Sequence, residues 1–207
     1  MYRWLSLLYP SLLWHVPVKE KILYLTFDDG PIPEVTPWVL RELSKRNAKA
    51  TFFCVGNNVK KNPEVYAQIL AEGHEVGNHT FHHLNAWKNS NQDYYTDIEL
   101  TEKIVASSLF RPPYGKIKLS QIKTLKKRFR IVMWDVLSKD YDKDLTAEDC
   151  LKRILRSARP GSIVVFHDSL KAENRLRLLL PKVLDHYQSL GYTFHSLAEF
   201  NTVQKSV

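Results

Sequence analysis

Cysteine is scarce: Cys54 and Cys150 are the only two in 207 residues. Two thiols cannot build a disulfide framework, so this chain must be held together by buried apolar surface. Cys54 lies in the apolar run Ala50-Thr51-Phe52-Phe53-Cys54-Val55 and reads as a small core residue. Internal repeats, low-complexity tracts and linkers are absent, which leaves one domain of ordinary size. No apolar run reaches the length of a membrane span. The nearest approach is residues 1–17, with Trp4, Leu5, Leu7, Leu8, Leu12, Leu13 and Trp14. Ser6, Pro10 and Ser11 interrupt that stretch, and no small-residue cleavage site follows it. It is expected to be a helix packed across the bottom or flank of the domain, with an interfacial membrane segment as the alternative. With no convincing signal peptide, the expected location is the cytoplasm or a membrane periphery.

What is present is ordinary in bulk. Hydrophobic residues make up 44% and charged residues 25%, as in soluble globular domains. The formal net charge of +8 favours encounter with acidic polymers or an anionic envelope surface, and says nothing about chemistry. Lys116 to Arg130 holds seven Lys or Arg and no acid. Leu119, Ile122 and Leu125 give that segment one apolar face, so it reads as a helix with a solvated basic side. It lacks interleaved aromatics and any nucleic-acid motif, so nucleic acid is not an expected partner.

Strands are expected at Ile22–Phe27, Ala50–Val55, Glu75–Asn78, Leu109-Phe110, Ile131–Trp134 and Ile163–Phe166, with a last one starting at Tyr192. Helices are expected from Thr36-Pro37 (Thr36 as the N-cap), from Asn62-Pro63, and over Asp97–Ser107, Lys116–Arg130, Ala147–Ala158 and Pro181–Leu190. Strands alternating with helices at short intervals imply an α/β fold with a mostly parallel sheet approaching a barrel. The domain is placed at 21–200, with an N-terminal extension over 1–20 and a tail over 201–207.

The chain is organised around Thr26-Phe27-Asp28-Asp29-Gly30. Two carboxylates side by side at the end of a strand repel unless a cation or a proton separates them. An ordinary Asp-Gly turn is the plainer alternative for these residues alone. Other polar residues follow other strands: His79 the third, Arg111 the fourth, Asp140 the strand ending at Trp134, and His167-Asp168 the strand ending at Phe166. In a parallel α/β barrel these carboxyl ends open onto one face, where active sites are built. His79 and His83 stand four apart, and would share one face if the chain turned helical at His79; His82 lies off that face. Two histidines and a carboxylate are a common ligand set for catalytic zinc.

Four segments in this order carry a resemblance: Thr26-Phe27-Asp28-Asp29-Gly30, His79-Thr80-Phe81-His82-His83, Arg111-Pro112-Pro113-Tyr114-Gly115 and Val165-Phe166-His167-Asp168. Together they resemble the successive motifs of the NodB-type polysaccharide deacetylases, the family 4 carbohydrate esterases, from about Lys21 to Phe200. The resemblance implies a distorted (β/α) barrel that binds a divalent metal and hydrolyses acetyl groups from sugar polymers. Asp29, His79 and His83 would hold the metal, zinc first, with cobalt, nickel or manganese as alternatives. Asp28 would be the general base, with Arg111 as its charged partner. Pro113 would stiffen a turn that aims the Tyr114 N–H at the developing oxyanion, and His167 would be the general acid.

The chain departs from the family pattern at two motifs. The usual Asp-x-x-Asp-Trp reads Leu137-Ser138-Lys139-Asp140-Tyr141. Asp140 would raise the pKa of His167, while Leu137 stands for the first Asp and Tyr141 for the Trp that walls the acetyl pocket. Val165 stands where the family has Leu. The expected substrate is an N-acetylglucosamine glycan of the peptidoglycan or chitin kind. The alternatives are an O-acetyl esterase on a polysaccharide such as xylan, or a non-catalytic envelope glycan-binding protein. No protein partner is expected.

Overall fold

The structure is a computed structural model that describes residues 3–198, with side chains from Ser6 onward. The expected tail over 201–207 lies outside the described residues. Eight strands form one sheet: β1 (Ile22–Asp28), β2 (Ala50–Cys54), β3 (Glu75–Asn78), β4 (Leu109–Phe110), β5 (Arg130–Ile131), β6 (Val136–Leu137), β7 (Ile163–His167) and β8 (Thr193–Phe194). Their order is β5-β4-β3-β2-β1-β7-β6, with β8 beside the lower end of β1, and every strand pair is parallel. The helices are α1 (Arg3–Leu8), α2 (Thr36–Ser44), α3 (Gly56–Lys61), α4 (Pro63–Ala71), α5 (Asn91–Glu102), α6 (Leu119–Leu125), α7 (Ala147–Ser157) and α8 (Glu173–Ser189). The sheet curls into a distorted (β/α) half-barrel.

Strand alternation decides what faces where. Leu23, Leu25 and Phe27 of β1 join Phe52 of β2, Val164 and Phe166 of β7 and the apolar faces of α2, α7 and α8 in one core. Phe27 stacks between Phe52 and Phe166, at centroid distances of 5.0 and 5.5 Å. The opposite parity, Tyr24, Phe53, Leu109, Val132 and Ile163, fills a second core inside the curl. Asp28 shares the parity of Tyr24, and His167 that of Ile163, so both reach the mouth of the curl from within.

β5 and β6 are the two edges of the sheet, and the segment after α1 bridges the gap between them. Leu13 pairs with Val132 beyond β5, and His15 pairs with Ser162 just before β7. The Leu13 N–H donates to the Ile131 carbonyl (2.9 Å), the Met133 N–H to that of Leu13 (2.7 Å), and the Val16 N–H to that of Gly161 (2.9 Å). Leu12, Trp14 and Val16 are buried. Among the described residues of the expected N-terminal extension, α1 is helical, and an extended strap follows it and packs against the sheet. Gly161 lets the strap approach. Its φ is +83°, and a Cβ there would lie 1.9 Å from the Val16 carbonyl oxygen.

Several expected boundaries differ. Thr36 is the first residue of α2 and not its N-cap, because its hydroxyl is engaged by Ile32 and Asp168. The helix expected over Asp97–Ser107 is α5, which begins six residues earlier behind a Ser90 cap that accepts from Asp93. The basic helix shrinks to Leu119–Leu125. The strand expected at Ile131–Trp134 stops at Ile131, since the carbonyls of Val132 and Met133 turn to Arg111. Asp140 consequently follows β6, a two-residue strand that the sequence pattern does not signal. The last helix starts at Glu173 and runs through Pro181. Five buried residues flanking that proline, Leu176, Leu179, Leu180, Val183 and Leu184, outweigh the hydrogen bond it cannot donate. No helix among the described residues is long and apolar enough to cross a membrane.

Candidate active site

The carboxyl ends of β1, β3, β4, β6 and β7 surround a cleft of about 550 Å³. Asp28, Asp29, His79, His83, Tyr114, Tyr141, Val165 and His167 all line it. Asp28 is directly opposite His167 in the β1–β7 register, so two neighbouring strands present a carboxylate and an imidazole side by side.

Asp29 leaves the strand at φ +84°, turning its side chain away from that of Asp28. Its carbonyl is held by the Asn58 side-chain amide at 2.7 Å. His79 and His83 reach it without the helix that their spacing suggested. The chain from His79 is a loop, with Thr80 and His83 both left-handed at φ +61° and +56°. Asn78 stabilises that loop by accepting from the Thr80 N–H, and Asp97 accepts from Phe81 and His82. The bond to Asp97 also draws the His82 ring away from the cleft.

One donor atom from each of Asp29, His79 and His83 lies within 4.8 Å of the others. His79 Nε2 is 3.8 Å and His83 Nε2 3.2 Å from Asp29 Oδ1. The Nδ1 atom of His79 is 2.7 Å from the Arg111 carbonyl, which can only accept, so Nδ1 carries the proton and Nε2 offers a lone pair. Burial foremost pushes the pKa of His79 down to about 4, keeping it neutral. Burial would raise that of Asp29, but the His83 contact and the charges of His167, His79 and His83 prevail and hold it well below the usual carboxylate range. Asp29 Oδ1 is buried and accepts no hydrogen bond. A buried, ionised acceptor without a donor, beside two imidazoles, fits a divalent cation.

Arg111 is fully buried. A buried guanidinium needs every donor directed, and the chain supplies the acceptors. One terminal nitrogen donates to Asp28 Oδ1 (2.7 Å) and Thr26 Oγ1 (2.8 Å), the other to the Met133 carbonyl (3.0 Å), and Nε to that of Val132 (3.3 Å). The Phe53 ring lies 4.1 Å below its carbon. No described hydrogen bond engages Asp28 Oδ2, which leaves that oxygen for a cleft molecule.

His167 forms the matching pair. Its Nδ1 is 2.7 Å from Asp140 Oδ1, and its backbone N–H donates to the other oxygen of Asp140 at 2.9 Å. Burial alone would lower its pKa, but the charge and hydrogen bond of Asp140, then the charges of Asp29 and Asp28, push it up to about 9. Tyr141 packs edge-on against the imidazole, with centroids 4.8 Å apart.

In the loop after β4, Tyr114 (φ +61°) and Gly115 (φ +63°) are both left-handed, and the tyrosine hydroxyl is 3.1 Å from His83 Nδ1. Pro113 is buried in that turn and is not among the residues lining the cleft. The remaining wall comes from Gly115, Met133, Trp134, Leu137 and Lys171. Sequence reasoning did not single out Gly115, Met133, Trp134 or Lys171. Met133 and Trp134 fall at the end of the expected strand Ile131–Trp134, and no pattern marks an exposed lysine between β7 and α8. Asp168, next to His167 in sequence, has a structural part of its own. It is buried, accepts from the Gly30 N–H at 3.0 Å and from Thr36, and so clamps the turn that carries Asp29.

Residues 15–128 match the family described as polysaccharide deacetylase. A peptidoglycan-N-acetylglucosamine deacetylase of Bacillus cereus is 38% identical over 193 residues, covering 90% of this chain and 91% of that protein. The peptidoglycan-N-acetylmuramic acid deacetylase PdaC of Bacillus subtilis is 30% identical over 197 residues, which are 92% of this chain and 41% of that longer protein. The crystal structure of a peptidoglycan N-acetylglucosamine deacetylase with 4-naphthalen-1-yl-N-oxidanyl-benzamide matches at a TM-score of 0.83 and 32% identity, covering 94% of this chain and 95% of that one.

Proposed function

This chain belongs to the polysaccharide deacetylase family and is a hydrolase of carbon–nitrogen bonds, and from that premise we propose that it removes N-acetyl groups from N-acetylglucosamine units of peptidoglycan, releasing acetate. The observation that carries the mechanism is the pairing across β1 and β7: Asp28 backed by Arg111, opposite His167 backed by Asp140, beside the Asp29–His79–His83 cluster.

Asp29, His79 and His83 would hold a divalent cation, for which zinc suits two imidazoles and a carboxylate. Bound there, such a cation would polarise the acetyl carbonyl and acidify a water. Asp28 takes that water's proton on Oδ2, because Arg111 occupies Oδ1 and fixes the plane of the carboxylate. Attack forms the new C–O bond and places the charge on the acyl oxygen; when that oxyanion collapses the C–N bond breaks, and the departing amine nitrogen needs a proton. His167 donates it from Nε2, since Nδ1 is committed to Asp140. The backbone N–H of Tyr114, in the turn stiffened by Pro112-Pro113, contributes to binding the oxyanion. Tyr141, Val165 and Leu137 form an apolar wall suited to the acetyl methyl group.

The test is acetate release from peptidoglycan, N-acetylglucosamine oligomers and O-acetylated xylan, each with chelator and with zinc restored. Activity on glucosamine-based glycans that chelator removes and zinc returns supports the reading. Release from xylan alone would replace it with the esterase.

A further inference from the structure

A second cavity, of about 430 Å³, lies outside the catalytic cleft, between α7 and the edge strand β6. Lys152, Arg153 and Arg156 of α7 line it, spaced to share one helix face. Arg153 is half-buried, and its Nε is shielded from solvent with no hydrogen-bond partner. Neither Arg153 nor Arg156 enters an ion pair among the described residues, and Lys152 stands 4.0 Å from Glu148.

Two carboxylates also line the cavity, each with at least one oxygen held elsewhere. Asp149 accepts from the backbone and hydroxyl of Thr146 at 3.1 and 2.6 Å, capping α7. Asp135 accepts from Ile163 (2.9 Å) and Ser162 (3.0 Å), and meets His15 at 3.0 Å. The cavity is thus lined by two arginines, Arg153 and Arg156, that enter no described ion pair, with Lys152 beside them. Guanidinium groups without a carboxylate partner bind oxyanions through charge-assisted, often bidentate hydrogen bonds from their accessible terminal nitrogens.

Leu137 belongs to the wall of this cavity and to that of the catalytic cleft. We propose that the cavity is an oxyanion-binding site, for a carboxylate or phosphate group, set beside the catalytic cleft across β6. The anion is either free in solution or carried as an acidic substituent of the polymer in the cleft; the second source rests on the reading of the substrate as peptidoglycan.

Two measurements separate the sources, each comparing the wild-type chain with Arg153→Gln/Arg156→Gln. In the first, inorganic phosphate is titrated against thermal unfolding, with ionic strength held constant by chloride. A free-anion site raises the wild-type Tm by about 3–6 °C at a phosphate concentration about ten times its Kd and leaves the double variant unmoved. Arg156→Gln alone, an exposed change that disturbs little packing, should lose part of the shift. In the second, KM is measured on peptide-bearing peptidoglycan fragments and on neutral N-acetylglucosamine oligomers. A substrate-borne anion raises KM of the double variant roughly threefold or more on the acidic fragments only, as loss of charge-assisted bonds requires. Equal phosphate response in both proteins, together with an unchanged ratio of KM values, overturns the site. Wild-type inactivity on both glycans would sink the substrate reading and leave the phosphate measurement to decide the site.

Discussion

At the scale of single residues, the adjacent Asp28 and Asp29 divide their work because of where the backbone sends them. Asp28 ends β1 in strand geometry and meets Arg111, whereas Asp29 turns left-handed toward the two imidazoles. Asp28→Asn should therefore cut turnover by roughly 10²–10⁴-fold while metal content, read by atomic emission, stays unchanged. Full activity in that variant, or loss of the metal, would show that the two roles are misassigned. Asp140→Asn bears on the other pair. The pKa of His167 is raised to about 9, so the imidazolium is the stable form below that pH and is lost as pH rises through it. A cation beside Asp29 would pull that value down. Activity should fall on the alkaline side with an inflection at or below about 9, and Asp140→Asn should move the inflection to lower pH. An inflection that does not move excludes His167 as the group being read. Nearly every one of these residues was legible in the sequence, since each belongs to a short motif at a strand end. Lys171 and Trp134 were not, because what brings them to the cleft is the path of loops with no periodic pattern.

At the scale of elements, the strands were readable and their connections less so. Apolar runs such as Ile22–Phe27 and Ile163–Phe166 are the signature of strands covered on both faces, and they appear as β1 and β7 nearly to the residue. The two faces are not equivalent. Phe27→Ala would empty the aromatic ladder between Phe52 and Phe166 and should cost about 3–5 kcal/mol in denaturant unfolding. Gly161→Ala tests the strap. The methyl group would overlap the Val16 carbonyl at a left-handed position, so either the strap or β7 must move. Amides of Leu13 and Val16 should then exchange with solvent at least tenfold faster; unchanged protection would mean that the strap does not depend on this approach. The loop from His79 to His83 is where element-level reading failed. An i, i+4 spacing fits a helix, but here two left-handed residues and the bonds to Asn78 and Asp97 achieve the convergence.

For the molecule as a whole, buried ionisable groups away from the cleft couple stability to pH. His74 is buried, accepts from the Ala50 N–H at 3.2 Å, and has its pKa pushed down to about 4, by burial first and then by Lys49. The unfolded chain takes up a proton on this residue below its ordinary value of 6.5, whereas the folded chain resists until about 4. Stability is therefore lost as pH falls across that window. The slope of unfolding free energy against pH between 6.5 and 4 should be shallower in His74→Gln than in the wild type; equal slopes would assign the acid sensitivity elsewhere. Metal removal acts on the whole fold as well. A cation bound only by the folded chain stabilises it, so chelator should lower the wild-type Tm, and Asp29→Asn should abolish most of that difference.

The amino-acid sequence by itself determined the repeating strand–helix pattern, the placing of Asp28 and His167 at strand ends, and the identity of the Asp–His–His set. Each of these is encoded within a few residues, through an apolar run and the composition of the motif that ends it. Only the tertiary structure decided which carbonyls surround Arg111, how Leu13 and His15 bridge the two sheet edges, and that Arg153 faces a cavity sharing Leu137 with the cleft. Those outcomes join residues tens to more than a hundred positions apart. They depend on how far the sheet curls and on the rotation between packed layers, quantities that no local spacing records.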